Sequence, residues 1–230
     1  VVYYPYTLVK RSYEMKKLSI YPTVLLLLLT ISVSLAPTVA RVLPSCVTIC
    51  TQDGTPLGAG VIVAPGYVVT AQHVTDFLKT NGLDVYVRFA DKRLVKASKI
   101  IPLRTGGTTP IDSAVIRVDT GTLPPARLGS PHAIQPGDEV FAVGAPFGLE
   151  QSVTVGVISA LKRNLTVETM NYTNVIQTSG LLHPGNSGGP LFDRWGYVLG
   201  INVVGEGTDG GIGFTIPINQ VKAGMKRVGL

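Results

Sequence analysis

Residues 184 to 190 read Pro-Gly-Asn-Ser-Gly-Gly-Pro, which sets Ser187 among glycines that can take positive φ and bring backbone N–H groups close to a reacting oxygen. A serine flanked this way is either a nucleophile or part of a Gly-rich turn, and the short pattern alone does not separate the two. Its company does, because a nucleophilic serine needs a general base and the base needs an orienting carboxylate. The chain has three histidines. His132 falls in a Pro-rich stretch, and His183, four residues before Ser187, is expected to line a site rather than act as the base. His73 stands in Val-Val-Thr-Ala-Gln-His-Val, at the end of an apolar strand and the start of a helical pattern, where a side chain is held rigidly at an edge.

For the carboxylate, Asp112 opens the apolar run Asp-Ser-Ala-Val-Ile-Arg-Val, where an acid would be partly buried and able to accept from an imidazole N–H. Asp76 and Asp91 read as solvated surface acids. Chain order then decides the class. The Gly-x-Ser-x-Gly pattern also marks the α/β-hydrolase elbow, whose histidine follows the serine, and no histidine lies beyond Ser187. The order His73, Asp112, Ser187 is that of the chymotrypsin-like double β-barrel.

The hydrophobic pattern agrees independently. Beyond residue 40, short runs rich in Val and Ile (CVTICT, GAGVIVA, YVVTA, DVYVRF, SAVIRV, EVFAVG, SVTVGVISAL, TNVIQT, YVLGINVV and IGFTIP) alternate with Gly, Pro, Asn and Asp clusters, the pattern of an antiparallel all-β domain. Helical spacing occurs at Val74, Phe77 and Leu78, and again at Ile218, Val221, Met225 and Val228, opened by Pro217. The expected organisation is an N-terminal barrel over residues 41–122, a linker over 123–132, a C-terminal barrel over 133–216 and a closing helix over 217–228. Gly205-Glu-Gly-Thr-Asp-Gly210 fits a dinucleotide fingerprint, but a strand follows it where a helix is required, so it reads as a hairpin turn.

The 230 residues carry a net charge of +6, yet Lys10, Arg11, Lys16 and Lys17 against Glu14 leave only +3 beyond residue 40, with no basic run there. Nucleic acid is therefore not an expected partner. Met15, expected as the start, is followed by Lys16-Lys17, the apolar run Val24 to Ala36 and the small-residue sequence Thr38-Val39-Ala40, which together read as a secretory signal peptide over residues 1–40. The 23 uncharged residues from Leu18 to Ala40 leave an uncleaved membrane anchor as the alternative. Either way the domain is expected outside the cytoplasm. Cys46 and Cys50 lie in one strand-like run, where four residues span about 13 Å, beyond disulfide reach, so both read as buried apolar filler. The chain supplies too few ligands for a metal site, and no cofactor is expected.

The blocks GVIVAPGYVVTAQHV, DSAVIRV, FAVGAPFGL, SVTVGVISAL, VIQTSGLLHPGNSGGPL and GYVLGIN…GIGFTIP resemble, in order and around all three candidate positions, the HtrA (Deg) serine proteases over residues 42 to 228. The resemblance implies two six-stranded barrels with a Ser-His-Asp triad in the cleft between them. It implies an endopeptidase acting on unfolded or damaged polypeptides, and a homotrimer as in many members. It places the oxyanion hole at the N–H groups of Gly185 and Ser187, with Asn186 between them. Leu181, where Arg/Lys-cleaving relatives carry an acid, and Leu182 predict an apolar primary pocket, with Ile201, Val203 and Gly205 supplying one wall. Ser179 and His183 depart from the family pattern, and the resemblance covers the protease domain without a PDZ domain. A polypeptide-binding holdase using the same cleft without catalysis, or an esterase, are the rival readings.

Overall fold

The computed structural model describes residues 34–106, 109–130, 134–167, 170–180, 183–206 and 211–230. Leu35 to Leu230 make one unit, and the chain before it falls in a second. Most of the predicted targeting segment, His132, Leu181, Leu182 and the tip of the Gly205–Gly210 turn lie outside the described residues.

The strands are β1 (Cys46–Cys50), β2 (Pro56–Ala64), β3 (Tyr67–Thr70), β4 (Tyr86–Arg88), β5 (Leu94–Lys96), β6 (Lys99–Thr105), β7 (Thr109–Arg117), β8 (Arg127–Leu128), β9 (Glu139–Gly144), β10 (Ser152–Val167), β11 (Met170–Ser179), β12 (Pro190–Asp193), β13 (Tyr197–Glu206) and β14 (Ile212–Pro217). The first seven form one sheet in the order β5-β4-β1-β2-β3-β7-β6. In the second, β12 pairs with both β9 and β13, which closes β9-β10-β11-β14-β13-β12 into a ring with β8 appended to β13. The fold is thus the expected all-β chymotrypsin-like pair, one half closed by hydrogen bonds and the other a half-barrel whose edges β5 and β6 do not pair with each other.

Why these segments are strands follows from their burial. β1 and the middle of β2 are buried throughout, the signature of strands covered on both faces, with Ile49, Val61, Val69, Leu103 and Val115 fully enclosed. In the second half Phe141 and Phe192 stack at 5.1 Å, and both are fully buried. Burying each such ring contributes up to about 3 kcal/mol.

Four strands escaped the hydrophobic reading. β6 carries Pro102, which lacks a ladder donor, and the strand sits at a sheet edge where that omission is tolerated. β5 is short and only partly buried, β12 has four residues, and β8 lies inside the predicted linker, where Tyr197 and Val198 pair with Arg127 and Leu128 in parallel.

Helices α1 (Ala36–Val42), α2 (Gln72–Thr80) and α3 (Ile218–Arg227) complete the unit, and the last two match the sequence expectation. Two residues depart from it. Phe77 is 56% exposed, on the solvent side of α2, and Val228 is the C-cap of α3 rather than part of its buried stripe. α1 was not expected, because its residues were read as the end of a targeting segment. Leu35 and Val39 pack on the core, Val42 is buried, and Arg41 Nη2 donates to the Trp195 carbonyl at 2.5 Å. The small-residue sequence Thr38-Val39-Ala40 therefore lies within a helix docked on the second half.

Candidate active site

β3 ends at Thr70, Ala71 is the extended N-cap, and α2 starts at Gln72, so His73 stands in the first helical turn with its backbone N–H free of intrahelical bonding. That N–H donates to Asp112 Oδ1 at 2.8 Å, while His73 Nδ1 meets Asp112 Oδ2 at 2.6 Å. One carboxylate thus fixes both the position and the ring of His73. Asp112 lies inside β7 rather than at its start, and its side chain is fully buried, whereas the His73 ring is 40% exposed. Burial pushes the Asp112 carboxyl up. The bonds from the His73 ring and backbone and from the Tyr172 phenol outweigh it and hold the group below the usual carboxylate range.

Ser187 sits in a turn held by the main chain on every side. Asn186 N–H donates to the His183 carbonyl at 3.0 Å and Gly189 N–H to the Asn186 carbonyl at 3.0 Å, bracketing the serine. Ala145 N–H holds the Gly185 carbonyl at 3.1 Å, and Gly188 N–H reaches the Asn202 carbonyl at 2.7 Å. Gly185 has φ of +100°, and a Cβ there would run into the Ala145 carbonyl. Gly188, at +84°, would strike Thr70 Oγ1 and the Ala59 carbonyl. These two positions need glycine for conformation and for space alike.

Thr70 and Ala71 immediately precede α2, so Gly188 packs against the segment that carries His73. On the other side of the serine, a Cβ on Gly58 would lie 2.9 Å from both the Ser187 carbonyl and the Val74 methyls. Ser187 and His73 are thereby brought to the same edge of the two halves. The Ser187 hydroxyl donates to the Val203 carbonyl at 3.3 Å, and among the described residues no hydrogen bond joins it to His73. The N–H groups of Gly185 and Ser187 have no protein acceptor among the described residues and are free to receive an oxyanion.

Of the other predicted residues, Asn186 is buried where Gly144 has no side chain. Ile201 and Val203 are buried on β13, and Gly205 is exposed near its end. Leu181 and Leu182 lie outside the described residues. The His183 and Phe147 rings are 6.1 Å apart, and Phe147 is 78% exposed. Ser179 Oγ accepts the Val157 N–H at 3.0 Å, a structural bond between β10 and β11.

Sequence reasoning missed three contributors. Tyr172 donates to Asp112 Oδ2 at 2.9 Å; alternation along β11 says nothing about where a phenol points, although a buried tyrosine needs a partner. Gly58 looked like an ordinary strand glycine. Glu150 joins Arg88 at 2.6 Å and Lys92 at 3.1 Å, tying the segment after Phe147 to the first sheet. No periodicity foretells an ion pair between residues 62 apart in the chain.

A closed six-stranded ring beside a half-barrel, with His, Asp and a Gly-bedded Ser at their common edge, defines the chymotrypsin-like class of hydrolase folds. A family model described as the trypsin-like peptidase domain matches residues 58–201. The chain is 41% identical over 181 residues to a probable periplasmic serine endoprotease DegP-like of Pseudomonas savastanoi pv. phaseolicola, covering 74% of this chain and 36% of that protein. It is 38% identical over 172 residues to the one of Hahella chejuensis, covering 73% and 34%. Among solved structures, the HtrA-type protease AlgW with tripeptide aligns with a TM-score of 0.72 at 35% identity, over 85% of this chain and 63% of that one. The serine endoprotease from Yersinia pestis gives 0.68 at 30%, over 86% and 68%. The chain belongs to the HtrA/DegP-like family of trypsin-like serine proteases, and it spans about a third of the length of these curated relatives.

Proposed function

We propose that this domain is a serine endopeptidase that cuts unfolded or damaged polypeptides after small or medium apolar residues, by acyl transfer through Ser187, His73 and Asp112. The observation that carries the reading is the double hold of Asp112 on His73, through Nδ1 at 2.6 Å and the backbone N–H at 2.8 Å. With Nδ1 occupied as a donor, Nε2 is left as the basic nitrogen, as a general base requires.

Ser187 Oγ turns from the Val203 carbonyl toward His73, loses its proton to Nε2 and attacks the substrate carbonyl carbon. The carbonyl oxygen becomes an oxyanion, which the Gly185 and Ser187 N–H groups are free to bind. His73 then gives its proton to the leaving amine as the C–N bond breaks, and the acyl group remains on Ser187. Water repeats the sequence, its proton passing through His73 as the serine is released. Asp112 stays ionised and stabilises the imidazolium formed in each half. Hydrogen bonds of this kind are commonly loose without substrate and tighten when it binds.

The apolar preference is supported by Ile201 and Val203 on β13 and by the residue types Leu181 and Leu182. Desolvating a cation against apolar side chains of this kind is costly. The relatives named periplasmic and the predicted targeting segment support a place outside the cytoplasm. No helix among the described residues is long and apolar enough to cross a membrane. A homotrimer is proposed on family likeness.

A second reading, polypeptide binding without turnover, is favoured by the Ser187 hydroxyl pointing to Val203 rather than His73. The two separate in one experiment: digestion of denatured casein by the protein and by Ser187→Ala, with products read by mass spectrometry. Cleavage after apolar residues by the first alone is expected. Equal binding of unfolded chains by both, with no cutting by either, would sink the protease reading.

A further inference from the structure

Asp112 Oδ2 receives two donors from opposite halves of the molecule. One is His73 Nδ1–H from the N-terminal half, and the other is the phenol of Tyr172, which stands on β11 in the closed ring, 60 residues further along the chain. Asp112 Oδ1 is taken by the His73 backbone N–H, so the buried carboxylate has a donor on each oxygen and two on the one that faces the imidazole. We propose that Tyr172 is a positioning residue for the His73–Asp112 pair: its O–H orients the carboxylate toward the imidazole and shares the charge of the oxygen that the imidazole uses. This rests on the triad reading given above.

A buried tyrosine whose hydroxyl merely finds an acceptor would be unremarked structure. What sets Tyr172 apart is that it competes with His73 for one oxygen. A hydrogen bond to the charged form of an acid favours that form. Without the phenol, the carboxylate becomes more basic and the pair holds its proton to higher pH, leaving less free base at a given pH. Among the described residues the carboxylate also loses its side-chain tether to the C-terminal half, and the side-chain and backbone donors left to orient it are those of His73.

The nearby titratable groups leave this role to Tyr172. Burial, His73 and Tyr172 are what set the ionisation of Asp112. Asp76, on the same helix as His73, is held by Gln72 Nε2 at 2.9 Å, and the His183 ring packs toward Phe147. Tyr172 pairs in register with Leu165 near the end of the β10–β11 hairpin, so the hairpin and the carboxylate are coupled through one side chain.

The test follows the His73 ring nitrogens by NMR across pH in 15N-histidine-labelled protein, comparing wild type with Tyr172→Phe and with Tyr172→Met, a second variant lacking the hydroxyl. Kinetics on a peptide that the wild type cleaves run beside it, with Ser187→Ala as the inactive control. Loss of the phenol is expected to raise the titration midpoint by about half a pH unit and to move the acid limb of kcat/KM by the same amount. At pH 6.5, kcat should fall by about two- to threefold, the most that a half-unit shift allows, with KM unchanged. Folded variants whose midpoint coincides with that of wild type overturn the proposal. Because the titration needs no turnover, it decides on Tyr172 even where the wild type cuts nothing, an outcome that would count against the protease reading alone.

Discussion

The backbone N–H of Ala59 donates to the carbonyl of Ser187 at 2.8 Å. Ala59 is in the middle of β2 and Ser187 opens the approach to β12, so a main-chain bond joins the two halves at the candidate nucleophile itself. The close approach depends on the preceding residue having no side chain, since a Cβ on Gly58 would stand 2.9 Å from the same carbonyl and from the Val74 methyls.

Gly58→Ala is accordingly expected to push the Ser187 turn away from β2. Overpacking of this kind costs about 1–3 kcal/mol, and turnover should fall by about 10-fold or more, because misplacement of a reacting group by an ångström is expensive. Urea unfolding and kcat on a casein-derived peptide would check both. Wild-type turnover in a folded Gly58→Ala protein would contradict the account.

Substitution within the proposed triad is expected to have a larger and differently shaped effect. Ser187→Ala or His73→Ala should each lower kcat by about 10⁴-fold or more, and the double variant should lose little further, because the groups act as a unit. Single-turnover kinetics of the three proteins test this. Additive losses would mean that His73 does not act through Ser187.

Acid stability follows from Asp112. Its carboxyl is held below the usual range in the folded protein and returns to about 3.9 when unfolded, so between those values the unfolded chain binds the extra proton. Stability from this group is present above about pH 4 and is lost as pH falls through the lower, folded value. In Asp112→Asn the decline of Tm below about pH 4 should be shallower than in wild type. Parallel curves from calorimetry would argue against it.

The cysteines should stay silent. Burial pushes the Cys50 thiol up to about 11 and the Cys46 thiol higher still, and both are free. At pH 8 iodoacetamide is expected to modify neither in the native protein and both in urea, as counted by intact mass. Rapid native labelling would show β1 to be more open than described.

Removing residues up to Ala40 deletes most of α1, with the contacts of Leu35 and Val39 on the core. A chain beginning at Arg41 should be less stable by about 1–2 kcal/mol while keeping the strand framework, since the partial burial of two aliphatic side chains is what is lost. Chemical denaturation of the two lengths of chain measures it.

Much of the molecule is legible in the sequence, for reasons that differ by element. β1, β2, β7 and β9 announce themselves because strands buried on both faces must be continuous apolar runs. His73, Asp112 and Ser187 stand out as candidates because acyl transfer needs those residue types and the chain offers few histidines, and the structure pairs the first two. β6 was hidden by Pro102, and α1 by the likeness of a short apolar helix to the end of a targeting segment. Phe77 satisfied the helical spacing and still faces solvent, because periodicity states which positions share a face but not how wide the buried stripe is.

What the sequence by itself determined is local and chemical: which runs become strands, which glycines must turn beside Ser187, and which side chains are the candidates for nucleophile, base and carboxylate. Only the tertiary structure decided the contacts between distant residues. It brought the Tyr172 phenol and the His73 imidazole to one oxygen of Asp112, joined Ala59 to the Ser187 carbonyl, and tied Glu150 to Arg88. Those distances depend on how two sheets close and meet. Hydrophobic patterning sets that closure through the whole core at once, and no short stretch of chain encodes it.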